Sequence, residues 1–179
     1  ACLATFLLFY LMTVFTLSWG TGPLGYPRGQ FLILQMIAMV VFAIAIPISA
    51  RAADRRGART VMLIATIAII AFGLVFAPMF VANNAGAVVI FLSAGLFLMG
   101  LTYGPLGTAL SELFPTAVRY TGASLAFNLA GILGASLAPG IATWLARDRG
   151  LQYVGYYLSA SAVLTLLALL GIGDRPAER

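Results

Sequence analysis

Apolar residues run through this chain in long blocks, and the polar positions that interrupt them come in clusters. The charged residues leave uncharged stretches at 1–27, 29–50, 60–111, 120–146 and 150–173. Each is at least as long as the roughly 20 residues a helix needs to cross the hydrocarbon core of a bilayer. The stretch 60–111 holds two such lengths, and Asn83-Asn84-Ala85-Gly86, following Pro78, is the polar interruption where it folds back. In hydrocarbon every buried backbone polar group must be satisfied internally, so helix is the default for each block. The pattern predicts an all-α membrane protein of six transmembrane helices, at about 3–24, 31–50, 60–82, 88–111, 120–146 and 152–173.

Composition supports this reading. With 62% hydrophobic and 8% charged residues in 179, the chain is far from a soluble domain, in which roughly a quarter of residues are charged. The net charge of +5 comes from ten arginines and no lysine. These arginines sit in short loops instead of on a wetted basic face, so they point to topology and away from a nucleic-acid partner. Assigned to alternate sides, Arg28, Arg147 and Arg149 oppose Arg51, Arg55, Arg56, Arg59, Arg119, Arg175 and Arg179. The positive-inside rule then makes the second side cytoplasmic, together with both ends of this segment. The first helix lacks a positive n-region and is too long for a signal-peptide core. Without an initiator Met, the chain reads as a piece of something longer. A lone Cys2 excludes an internal disulfide.

Departures from plain helix carry the next layer of information. Pro47, Pro78, Pro105 and Pro139 fall in or near the ends of spans, where proline removes a hydrogen bond and bends the helix. The fourth span places Ser93, Gly100, Tyr103, Gly107 and Ser111 at helical spacing, with Gly104 four residues after Gly100. The fifth carries Gly122, Ala126, Ala130, Gly134, Ala138 and Ala142. Small residues four apart let membrane helices approach closely, so Gly100, Gly104, Gly122 and Gly134 are expected packing positions.

The chemistry on offer is narrow. There is no histidine, and the carboxylates Asp54, Glu112, Asp148, Asp174 and Glu178 all lie in loops or at helix ends. That removes Ser-His and Cys-His catalysis, histidine-ligated haem and the usual zinc sites. Ser124, after Gly122-Ala123, has no base to activate it. No enzyme activity, metal or cofactor is expected. Neutral polar groups remain at membrane depth, and Tyr10, Thr13, Gln35, Tyr103 and Asn128 are candidates to line a solute cavity. The same groups suit interhelical hydrogen bonds, worth about 0.6 kcal/mol on average. A buried amide facing lipid is costly, which favours the cavity for Gln35 and Asn128.

Two junctions carry a family resemblance. Residues 49–59 read Ser-Ala-Arg-Ala-Ala-Asp-Arg-Arg-Gly-Ala-Arg. This resembles the Gly-x-x-x-Asp-Arg-x-Gly-Arg-Arg signature of the major facilitator superfamily: Asp54, Arg55, Gly57 and Arg59 match, while Ala50 and Ala58 replace a Gly and an Arg. Asp54 is expected against a helix N-terminus, where the macrodipole favours an anion. The junction Glu112-Leu113-Phe114-Pro115-Thr116-Ala117-Val118-Arg119-Tyr120-Thr121-Gly122 resembles the loop between the tenth and eleventh helices of the metabolite:proton symporter group. Asn128, Gly131, Gly134 and residues 138–143 continue the likeness, and Phe9-Tyr10-Leu11-Met12-Thr13-Val14-Phe15 resembles that group's seventh helix.

The resemblance implies the C-terminal half of a twelve-helix fold, the N-terminal six helices lying outside this chain, in a bacterial inner membrane. It implies a secondary carrier, a proton-coupled symporter of a small organic acid or zwitterion working by alternating access, with partners limited to solute, protons and lipid. It also implies cytoplasmic gating residues, namely Asp54, Arg55, Gly57, Arg59, Glu112, Pro115 and Arg119, with Glu112 and Arg119 pairing with each other or with Arg55 or Arg59. A facilitator or exporter of the same superfamily is the nearest alternative. A scaffold that moves nothing is the alternative of another kind.

Overall fold

The structure is a computed structural model that describes residues 3–80 and 84–171. Cys2, Asn83, Asp174, Arg175, Glu178, Arg179 and the far ends of the third and sixth expected helices lie outside the described residues. Among those described, every regular element is helical. The first span, Leu3–Thr21, comprises α1 (Leu3–Tyr10), a π-helical segment (Leu11–Phe15) and α2 (Thr16–Thr21). Then follow α3 (Arg28–Arg56), α4 (Ala58–Leu74), α5 (Phe76–Phe80), α6 (Ala85–Ser111), α7 (Arg119–Asp148) and α8 (Leu151–Gly171).

The first span, α3, α6, α7 and α8 are each long and apolar enough to cross a membrane. The remaining crossing is made in two pieces, and Pro78 explains why. A proline clashes with the carbonyl four residues before it, here Leu74, the last residue of α4. The chain turns at Val75, whose N–H reaches back to the Phe72 carbonyl at 3.2 Å, before α5 begins.

α3 departs from expectation at its far end. It continues through Arg51, Ala52, Ala53 and Asp54 to Arg56, because nothing in that run breaks a helix. The break comes at Gly57, whose φ of 84° suits a residue without a Cβ.

Close packing falls where small residues allow it. α3 and α6 lie along each other; a Cβ added at Gly100 would stand 2.6 Å from the Ala45 Cβ, and one at Gly104 would meet the Ser49 hydroxyl and the Ile46 carbonyl. The Ser49 hydroxyl lies 3.0 Å from the Gly100 carbonyl, tying the two helices together. α4 and α8 meet in the same way at Gly73 and Gly155, beside a Ser159 hydroxyl that donates to the Ile70 carbonyl at 2.9 Å. Gly134 admits Phe6 of the first span, its notional Cβ 2.7 Å from the Phe6 Cβ, whereas Gly122 sits under the Phe114 ring. An aromatic cluster of Phe72, Phe76, Phe80 and Phe91 fills the core, with Phe91 stacked on Phe80 at 4.9 Å. Large apolar side chains also cover the outside, on α3 (Ile33, Met36, Val40, Ile44) and on α7 (Leu125, Leu129, Ile132).

Candidate solute cavity between the first span and α3

The π-helical segment is the structural origin of the site. From Leu11 to Phe15 the helix widens, and the N–H of Thr16 bonds to the Leu11 carbonyl five residues back. Such segments are rare and concentrate at functional positions. Their altered register presents carbonyls sideways, and a side chain of α3 takes them up. The Gln35 amide nitrogen donates to the carbonyls of Met12 (3.0 Å) and Thr13 (2.8 Å) and lies 3.3 Å from the Thr16 hydroxyl. The Thr16 hydroxyl in turn donates to the Met12 carbonyl at 2.6 Å, and that of Thr13 to the Phe9 carbonyl at 2.7 Å.

Gln35 is only 8% exposed, and an amide so buried must be hydrogen-bonded to avoid a large desolvation cost. Because backbone carbonyls only accept, these contacts fix which end of the amide faces them. The nitrogen faces the first span. The oxygen, Oε1, has no partner among the described residues and is the end left over.

Gln35 borders a cavity of about 610 Å³, within the range that holds small ligands, about 300–1,000 Å³. The first span contributes Met12, Thr13, Val14, Leu17, Ser18 and Thr21; α3 contributes Arg28, Leu32, Gln35, Met36 and Met39; α6 contributes Leu96. The wall is mostly apolar and flexible, three of its residues being methionines, with five polar side chains set into it. Thr21 donates to the Leu17 carbonyl at 2.8 Å, but Ser18 and Arg28 have no hydrogen-bond partner among the described residues. No carboxylate lines the cavity.

Of the five residues proposed from sequence for a cavity, the structure brings together Thr13 and Gln35. Tyr10 packs its ring edge-on to Phe9 at 5.3 Å. Tyr103 lies against Phe42 at 6.0 Å. Asn128 is exposed on α7 and donates to the Ser124 carbonyl at 2.8 Å. Sequence reasoning missed Ser18, Thr21 and the methionines, and it took Arg28 only as a marker of topology. The spacing held a signal, since Arg28, Leu32, Gln35 and Met39 share one face of a helix.

The junctions at the other end are built differently from expectation. Asp54 and Arg55 sit in the last helical turn of α3, and no side-chain hydrogen bond caps the start of α4. Arg59 donates from Nε to the Leu169 carbonyl (3.1 Å) and from Nη2 to the Leu170 carbonyl (3.3 Å), capping the end of α8. Arg119 donates to the Phe114 carbonyl at 3.3 Å, closing a turn in which the Val118 N–H reaches the Pro115 carbonyl at 3.0 Å. Glu112 and Arg119 are both exposed and, among the described residues, do not pair with each other. The described residues contain no cluster of three side chains suited to a metal ion.

Apolar helices of membrane length, close-packed at small residues, with one helix distorted beside a partly polar cavity, define a multi-pass helical membrane protein. The chain belongs to the major facilitator superfamily: the profile of that family matches residues 1–179. Over 173 residues it is 50% identical to the inner membrane metabolite transport protein YhjE of Escherichia coli (strain K12), an alignment covering 94% of this chain and 39% of that protein. It is 29% identical over 173 residues to a citrate-proton symporter of Klebsiella pneumoniae, covering 94% of this chain and 38% of the relative. It is 27% identical over 170 residues to a proline/betaine transporter of Salmonella typhimurium (strain LT2), covering 92% and 33%. The chain thus spans about two fifths of the first of these relatives. All three are named for transport and none for an enzyme activity. No solved structure matches the chain.

Proposed function

We propose that this chain is the C-terminal half of a bacterial inner-membrane carrier, a secondary transporter of a small organic acid or zwitterion driven by protons. The observation that carries this reading is the cavity beside the π-helical segment. It is lined by neutral polar groups and one cation, it suits a small molecule, and it lies between two spans instead of inside a sealed core. Carriers of this architecture bind solute at the interface of two related halves near mid-membrane, commonly where a helix is interrupted. The first span and α3 then supply one wall of the solute path and the absent half the other. The names of the relatives, a citrate-proton symporter and a proline/betaine transporter, support the substrate class.

In this reading the junctions around Asp54, Arg55, Gly57 and Arg59 and around Glu112, Pro115 and Arg119 form the cytoplasmic gate. Glu112 and Arg119 are free to exchange partners between states. Exposed ion pairs contribute only about 0–1 kcal/mol each, which is enough to bias two conformations of similar energy.

The test is uptake by the full-length protein in proteoliposomes. An imposed inward proton gradient is expected to drive accumulation of a labelled carboxylate, and a protonophore to abolish it. Uptake insensitive to the gradient identifies a facilitator, and no uptake by correctly inserted protein identifies a scaffold.

A further inference from the structure

We infer that this cavity selects small carboxylates bearing an O–H or N–H donor, the carboxylate meeting Arg28 and the donor meeting Oε1 of Gln35. The inference rests on the carrier reading and adds to it a rule for which acids are carried. Three observations converge. Arg28 is the only charged residue on the cavity lining and is unpaired among the described residues. With no acidic side chain beside it, the wall attracts an anion and repels a cation. Second, Gln35 presents an acceptor whose orientation is set by Met12 and Thr13, at 3.0 and 2.8 Å, and cannot flip to offer a donor without abandoning both carbonyls. Third, the Gln35 residue is only 8% exposed, so a solute that covers it leaves its oxygen little water.

A carboxylate without a donor would therefore leave Oε1 desolvated and unpaired, a penalty of about tenfold or more in affinity. The two polar points are set by geometry as well. Seven positions separate Arg28 from Gln35 on α3, or ~10 Å along the helix axis, and both line the same cavity with Leu32, Met36 and Met39, an apolar wall for the carbon skeleton of a small hydroxy or amino acid.

Competition between matched acids tests this in the full-length carrier reconstituted in proteoliposomes. The probes are lactate against propionate and malate against succinate, pairs of equal charge that differ in one hydroxyl, each competing with whichever labelled member is taken up. The donor-bearing acid is expected to compete about tenfold better or more within each pair that competes. Gln35→Met should bring the ratio toward one, and Arg28→Gln should weaken both members alike. Equal competition within pairs by the unsubstituted carrier, or a ratio that survives Gln35→Met, overturns the selection rule while leaving the carrier reading intact. If Gln35→Met fails to insert, the ratio in the unsubstituted carrier decides. No uptake of any acid in the panel overturns both.

Discussion

Gln35 does two jobs with the two ends of one amide. Its nitrogen holds the π-helical segment of the first span, and its oxygen, without a partner among the described residues, is the group proposed for the cavity. Replacing it by leucine removes the donors that satisfy Met12 and Thr13, so that segment should open more readily. Hydrogen exchange across residues 11–16 of the full-length protein in detergent is expected to speed up about tenfold or more in Gln35→Leu; unchanged exchange would mean that the amide does not hold the register. Gly104 is the counterpart in packing. A side chain there must displace Ser49 or the backbone of α3 at Ile46. Overpacking of this kind typically costs about 1–3 kcal/mol, so Gly104→Leu should lower the melting temperature of the purified protein, whereas Gly107→Ala, with open space around it, should not. At this scale the sequence was partly legible. A buried amide in an apolar helix announced itself, as did glycines four apart. Arg28 did not, because an arginine at a helix start satisfies the positive-inside count as readily as it serves a site.

The helices were legible where hydrophobicity alone sets them and illegible where register matters. Uncharged runs located the five helices of membrane length and the shorter α4, yet nothing in Leu11-Met12-Thr13-Val14-Phe15 distinguishes a π-helical segment from an α-helix. Its stability comes from Gln35, 22 residues after Thr13. The end of α3 was misplaced for a related reason: the arginines that end the hydrophobic block do not end the helix, and only Gly57 does. Pro78 was read as a bend near the end of a span, and its effect lies four residues earlier, at Leu74, where α4 ends. At the α6–α7 junction, Glu112 is exposed at the end of α6. Glu112→Gln should leave insertion and melting temperature unchanged but slow uptake by the full-length carrier several-fold. Undiminished uptake would remove Glu112 from the gate. Arg59, by contrast, caps α8, so Arg59→Gln should raise hydrogen exchange at the end of that helix.

At the scale of the whole molecule, the apolar side chains exposed on α3 and α7 require lipid or further helices around them, in keeping with a chain that spans about two fifths of its first relative. The alternating arginine count is the basis for proposing that both ends of this segment are cytoplasmic. An impermeant thiol reagent applied to intact cells should label a cysteine placed at Gly25 and leave one at Gly57 unlabelled, and the opposite pattern would invert the topology. The cavity between the first span and α3 is proposed as part of a solute path, and the Ser18 side chain is an exposed group on its wall without a hydrogen-bond partner among the described residues. The most direct measurement is labelling of Ser18→Cys in the full-length carrier, in a background otherwise free of cysteine. Modification is expected to arrest uptake, and the transported acid to slow the modification. Uptake that continues at full rate after complete modification would contradict the account.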